Sequence, residues 1–167
     1  MPWAWYEPEP IEAKTNRVKK FKDDFDSGVD NLLGVFNHSE TELIGSTGLH
    51  ARIEGNAREI GYWINVNHLK NGYATEIVAV LTCIGFEAEN LDRIEIHCDV
   101  KNKLSALIPE KYGYTLKETR IANAKDVYGG DRDTMIWVMT ARDYKLKATS
   151  NVSLKAFDKE GNEILVK

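Results

Sequence analysis

Apolar residues recur along this chain with two different periods, and the switches between them divide it into helices and strands. Ile11, Val18, Phe21 and Phe25 fall at helical spacings and predict a helix from Ile11 to about Ser27, with Gly28 as its stop. "NLLGVFN" (31–37) and "LIGSTGLHARI" (43–53) read as an antiparallel hairpin across the polar turn "HSETE". A second turn, "EGNA", leads into the alternating strand "REIGYWINV" (58–66). Helical periodicity returns from about Gly72 to Glu89, where Ala74, Ile77, Val78, Leu81, Ile84, Gly85 and Ala88 make one apolar face.

"RIEIHCD" (93–99) alternates again. "NKLSALIPEKYG" (102–113) predicts a short helix that Pro109 kinks or shortens. "YTLKETRIA" and "TMIWVMTA" form a final antiparallel pair across "NAKDVYGGDRD", and "VSLKAFDKEGNEILV" predicts a small hairpin around Gly161-Asn162. The expected fold is α+β: a mixed, mostly antiparallel sheet flanked by helices, over residues 1–146, with a C-terminal β-hairpin extension over 147–167.

Bulk composition narrows the function classes. At 167 residues, 43% hydrophobic and 29% charged, the chain is long and apolar enough for one ordinary core. A net charge of −4 provides no general attraction for nucleic acid or an anionic membrane, and neither is expected as a partner. Cys83 and Cys98 lie in apolar segments and read as buried reduced thiols, not as a disulfide framework or a zinc site. "MPWAWYEPEP" lacks the basic start and apolar middle of a signal peptide, so the expected location is cytoplasmic. His38, His50, His68 and His97 show no metal-ligand spacing; no metal is expected, and all four read as surface or strand histidines.

Candidate chemistry concentrates where the third strand meets the long helix. Asn71-Gly72-Tyr73-Ala74 opens that helix with small residues, and free backbone N–H groups there, with the helix dipole, suit a phosphate or pyrophosphate. Lys70 adds a full positive charge beside it. The alternative is a turn whose glycine merely permits a sharp bend.

Taken together, "EIGYWINVNHLKNGYATE" and "RIEIHCDVKNKLSALIPEKYGY" resemble the acetyl-CoA-binding core of the GNAT N-acetyltransferase superfamily. The resemblance is strongest to its Rim-type branch, which acetylates ribosomal-protein N-termini, and it covers about residues 30 to 142. The family's Gln/Arg-x-x-Gly-x-Gly/Ala turn falls on Leu69 to Ala74, with Leu69 departing from the usual polar residue. Asn102-x-x-Ser105 and Glu110-Lys111-Tyr112-Gly113-Tyr114 also match the branch.

The resemblance implies acetyl-CoA as cosubstrate, held by the turn through Lys70, Asn71, Gly72, Tyr73, Ala74 and Thr75. It further implies that strand backbone up to Ile64, Asn65 and Val66 pairs with the pantetheine arm, and that Asn102 contacts that arm or braces the strand–helix junction. Glu59 is the candidate base for the amine, sharing a strand face with Gly61 and Trp63, whose ring would desolvate it. Ser105 and Tyr112 compete as acid toward the departing thiolate. Trp3, Trp5 and Tyr6 correspond to the loop that walls the acceptor.

The implied activity is direct acetyl transfer to an amine acceptor, a small molecule or a protein N-terminus. The alternative is a non-catalytic acyl-CoA-binding or protein-interaction module on the same fold. The family's usual first strand and helix are not matched, which predicts an open edge at Leu32–Phe36. Because the Lys145–Asn151 link is short for an in-chain crossing, exchange of the C-terminal hairpin in a homodimer is the expected cover.

Overall fold

In the computed structural model, residues 9–126, 128–146 and 152–166 are described; Trp3, Trp5 and Tyr6 lie outside them. The predicted helix–strand alternation appears as α1 (Ile11–Asp26), β1 (Asn31–Phe36), β2 (Leu43–His50), β3 (Ala57–Ile64), α2 (Tyr73–Glu87), β4 (Arg93–Asp99), α3 (Lys103–Lys111), β5 (Thr115–Lys125) and β6 (Asp131–Thr140). These strands form one six-stranded sheet in the order β1-β2-β3-β4-β6-β5. Every pairing is antiparallel except β3 with β4, because α2 carries the chain between them as a crossover.

The core lies between α2 and one face of the sheet. Leu49, Ile60, Ile94, Ile96 and Met139 are all at most 1% exposed and pack with Val78 and Leu81 of the helix. Burial on α2 is wider than the single expected stripe: Ala79, Thr82 and Cys83 are buried too. One cause is Tyr114, whose buried hydroxyl lies 2.6 Å from Thr82 Oγ1. Amphipathic α1, by contrast, buries no residue; Ile11 and Val18 are exposed, and only Phe21 and Phe25 among its apolar residues are half-covered.

On the other sheet face, His50 is only 3% exposed. It fits because the two residues beneath its ring have no side chains. A Cβ on Gly48 would lie 2.7 Å from His50 Cε1, and one on Gly61, its cross-strand partner, 3.0 Å from His50 Cδ2. Asp30 then binds His50 Nδ1 at 2.9 Å.

Two C-terminal features differ from expectation. Ala141–Leu146 forms a further helix, α4, where Thr140 Oγ1 and the Asp143 carboxylate close a reciprocal cap. Tyr144 of α4 stacks on Phe86 at a centroid distance of 4.9 Å, so the chain turns back over the end of α2 after β6. The hairpin does form, as β7 (Lys155–Phe157) and β8 (Glu163–Val166), but as a separate two-stranded sheet. Lys159 Nζ donates to Asp26 O of the same chain at 2.9 Å, so the hairpin reaches the end of α1 without leaving its own chain. Among the described residues the hairpin forms no pairing with the β1 edge that it was expected to cover.

The glycine pair under His50 yields a test of this packing. A Cβ at Gly48 would also lie 2.3 Å from the Asn31 carbonyl, a backbone atom of the paired strand, so β1 itself would have to move. Gly48→Ala should cost about 1–3 kcal/mol of stability, measured as a lower urea midpoint with an unchanged slope.

Candidate active site

The parallel ladder between β3 and β4 holds for only three residue pairs, Ala57–Arg93, Arg58–Ile94 and Glu59–Glu95. Both strands continue past it, β3 to Ile64 and β4 to Asp99, so they part at Glu59 and Glu95 and leave a wedge. Asn65 N–H donates to Ile44 O at 2.8 Å, which sets the alternation along β3. Trp63 and Gly61 turn their backbone groups toward β2, whereas Tyr62 and Ile64 turn theirs into the wedge. Ile64 is thus placed for an extended ligand arm. The Asn65 amide is committed to Ile44, and Val66 opens a 3-10 turn (Val66–His68) that is capped by the Asn65 side chain.

Beyond that turn the backbone is held left-handed at Lys70 (φ 64°) and Gly72 (φ 88°). Asn71 Nδ2 donates to His68 O at 3.3 Å and closes the bend. Gly72 is the N-cap of α2 and supplies no side-chain hydrogen bond to it. The first amides of α2, from Tyr73 to Thr75, therefore have no side-chain cap from that position and no intrahelical acceptor. The space beside Gly72 is open, since a Cβ there would meet nothing within 4 Å. Free backbone amides, open space and the neighbouring Lys70 fit the polarity and charge of a pyrophosphate.

On the helix-facing side of the wedge, Asn102 caps α3 by accepting from Ser105 N at 3.2 Å, which places it as the brace of the strand–helix junction. Ser105 Oγ does not bond backbone; it lies 2.8 Å from the hydroxyl of Tyr62. Pro109 contributes to this contact. Lacking an N–H, it leaves the Ser105 carbonyl without its i+4 donor, and Tyr62 Oη approaches that carbonyl to 3.5 Å. Burial pushes the Tyr62 hydroxyl above its ordinary pKa, with the Ser105 bond opposing the shift. Tyr112, half-buried, is also raised, by burial first and by the Glu76 charge second.

Glu59 sits at the apex on the opposite face, with its side chain 13% exposed. Its carboxylate meets the Arg52 guanidinium, with Nη1 at 3.7 Å, and the His97 ring, with Nδ1 at 3.5 Å. The other nitrogen of His97 lies 2.7 Å from Glu95 Oε2, and Arg93 Nε donates to Glu95 Oε1 at 2.8 Å. Burial alone would raise Glu95, but the bonds and charges of His97 and Arg93 prevail and hold it below the usual carboxylate value.

The structure thus brings Glu59, Ser105 and the α2 turn, all singled out from the sequence, to the borders of one wedge, together with Tyr62 and His97, whose side chains were not. Tyr62 had a signal: alternation puts it on the Ile60 face, where a buried hydroxyl needs a partner. His97 shares a strand face with Arg93 and Glu95, but its contact with Glu59 depends on the parallel register. Among the described residues no group of acidic, histidine and cysteine side chains is arranged to hold a metal. No described helix is long and apolar enough to cross a membrane.

The acetyltransferase (GNAT) domain family matches residues 1–115. YoaA of Bacillus subtilis, described as an uncharacterized N-acetyltransferase, is 31% identical over 107 residues, 64% of this chain and 60% of YoaA. YjcK of the same organism is matched over 59% of its length, so the chain spans about three fifths of both relatives. YdaF of B. subtilis, provisionally a ribosomal N-acetyltransferase, is 30% identical over 145 residues, 86% of this chain and 79% of YdaF. Among solved structures, the ribosomal-protein-S5-alanine acetyltransferase from Vibrio fischeri superposes with a TM-score of 0.72 at 20% identity, covering 86% of this chain and 80% of that one. A variant of the spermidine N-acetyltransferase SpeG from Vibrio cholerae gives 0.72 at 19% identity, covering 89% and 86%. The two structural likenesses speak to the fold, and the sequence matches add the family: the chain belongs to the acetyltransferase (GNAT) domain family.

Proposed function

We propose that this protein is an acetyl-CoA-dependent N-acetyltransferase that passes the acetyl group directly to an amine, a protein N-terminal amine, within a ternary complex. The observation that carries this reading is the end of the β3–β4 ladder at Glu59 and Glu95. Beyond it, strand backbone, an uncapped helix start and candidate proton-transfer groups border one wedge. The match to YdaF supports the choice of a protein N-terminus.

In this mechanism the amide groups from Asn71 to Thr75, with Lys70, hold the pyrophosphate, and the backbone of Tyr62 and Ile64 aligns the pantetheine arm. Glu59 takes the proton of the amine as its nitrogen attacks the thioester carbon from the Glu59 face. The C–S bond then breaks, and the thiolate is protonated from the helix-facing side. An alcohol such as Ser105 is a poor acid alone, so Ser105 serves as a relay, releasing its proton as it draws one from Tyr62 at 2.8 Å. Tyr112 is the competing donor.

Three outcomes test the scheme. Free thiol should be released from acetyl-CoA with peptides bearing free N-termini, faster than with polyamines or lysine. Glu59→Gln should lower kcat/KM about 100-fold near neutral pH, with the deficit narrowing once the amine is unprotonated, at about pH 8 and above. Binding of CoA without release of thiol across the panel would identify a non-catalytic module instead.

At the cofactor turn, a β-branched residue in place of Gly72 would strain the left-handed backbone. Gly72→Asn, whose side chain tolerates that conformation, should weaken CoA binding about tenfold by calorimetry, with thermal unfolding little changed. Equal affinities would remove the pyrophosphate from this turn.

The relay predicts non-additivity. Ser105→Ala and Tyr62→Phe should each lower kcat with acetyl-CoA affinity retained, and the double variant should be no slower than the worse single one. Full activity in Ser105→Ala combined with its loss in Tyr112→Phe would assign the acid to Tyr112.

A further inference from the structure

His97 spans two carboxylates. Its Nε2 lies 2.7 Å from Glu95 Oε2 and its Nδ1 3.5 Å from Glu59 Oε2. Glu95 is anionic and can only accept, so Nε2 carries a hydrogen and donates it. In the neutral ring Nδ1 is then a bare lone pair aimed at Glu59. Two acceptors facing each other gain nothing; a proton placed between them satisfies both.

We propose that His97 is a positioning residue acting through Glu59: it takes over the proton that Glu59 removes from the acceptor amine and holds it as an imidazolium between Glu59 and Glu95. The inference rests on the acetyltransferase reading with Glu59 as base. One N–H bond of the amine breaks as an O–H bond forms on Glu59. That O–H bond breaks as Nδ1–H forms, while Nε2–H stays on Glu95, and Glu59 returns to the carboxylate. No oxidation or reduction occurs. The His97 side chain is 19% exposed, so the proton has a route to water once the product has left.

The surroundings favour this state. Glu59 faces His97 from β3, and Arg93, Glu95 and Asp99 share its face of β4. His50 and Arg52 stand at the end of β2, with His50 tied to Asp30 and Arg52 against Glu59. The cross-strand neighbour on β6 is Ile136, and the next residue on that face, Thr134, is uncharged. Two carboxylates therefore bracket the ring, Arg93 binds the one it donates to, and Arg52 prevents Glu59 from retaining the proton too tightly. The 3.5 Å separation exceeds a hydrogen bond and would close as Glu59 becomes protonated.

Two measurements on the full chain test this. The first follows the His97 ring by NMR through a pH titration, in the wild type and in Glu59→Gln. The midpoint should fall in the variant, because one of the two stabilising anions is gone; an unchanged midpoint overturns the proposal. The second compares pH profiles of turnover. His97→Gln keeps a donor toward Glu95 but cannot carry a proton. It should lose about tenfold in kcat near neutral pH, with KM for acetyl-CoA unchanged and a loss that fades as pH rises. Added imidazole should restore part of the activity of His97→Ala. A loss uniform across pH and unresponsive to imidazole would mark His97 as merely structural. An active wild type with such a result overturns the proton transfer alone. A wild type inert toward every amine overturns the function reading, and the transfer with it.

Discussion

The structure is organised around a ladder that stops. Glu59 and Glu95 face each other as register partners on the only parallel pair in the sheet, a juxtaposition of like charges that is unfavourable by itself. It persists because partners are supplied from the flanks: the Arg52 cation to Glu59, the Arg93 cation to Glu95, and the His97 ring in contact with both. Past this point Tyr62, Cys98 and Trp137 occupy the core on the helix-facing side, and Tyr62 ties β3 to α3 through Ser105. The wedge is thus braced by side chains where backbone pairing ends, and its exposed backbone polarity is available to a ligand.

That brace connects the site to the core. Pro109 frees the Ser105 carbonyl, Tyr62 reaches toward it, and the same helix ends in a turn that buries Tyr114 against Thr82 of α2. The turn before α2 fixes where the free amides point, while the body of α2 supplies Val78 and Leu81 to the main cluster. One helix is both the centre of the core and the proposed anion-facing wall. Loosening its packing would therefore displace the turn proposed to hold the pyrophosphate as well as lower stability.

Much of this was legible because periodicity reports local geometry. Strands β1 to β4 and helices α1 to α3 follow from alternation and 3.6-residue spacing, and the small residues at the start of α2 do mark a cap without a side-chain acceptor. What escaped reading depends on register. Nothing in "RIEIHCD" says that His97 will stand beside Glu59, since the β3–β4 offset is set by the length and packing of α2 between them. His50 read as a surface or strand residue and is a buried strand one, because its cover comes from Asp30 and its room from glycines on two strands. Helix α4 did have a local signal, the capping pattern Thr140-x-x-Asp143, but its six residues are too few for periodicity to register.

Strand alternation also accounts for how the two proposed proton-transfer groups are divided. Glu59 and Tyr62 are three residues apart on β3, an odd spacing, so they emerge on opposite faces of the sheet. On the Glu59 face the immediate neighbours are ionic; on the Tyr62 face they are the helices and the core. A proton-accepting carboxylate needs the first environment and a neutral hydroxyl the second, since burial keeps Tyr62 protonated while the charges around Glu59 keep it within reach of water and an incoming amine. A ligand carbonyl lying in the wedge between them would meet the base from one face and the hydroxyl relay from the other. The two proposed roles need no separate elements: a single strand carries both side chains once its partner has parted from it.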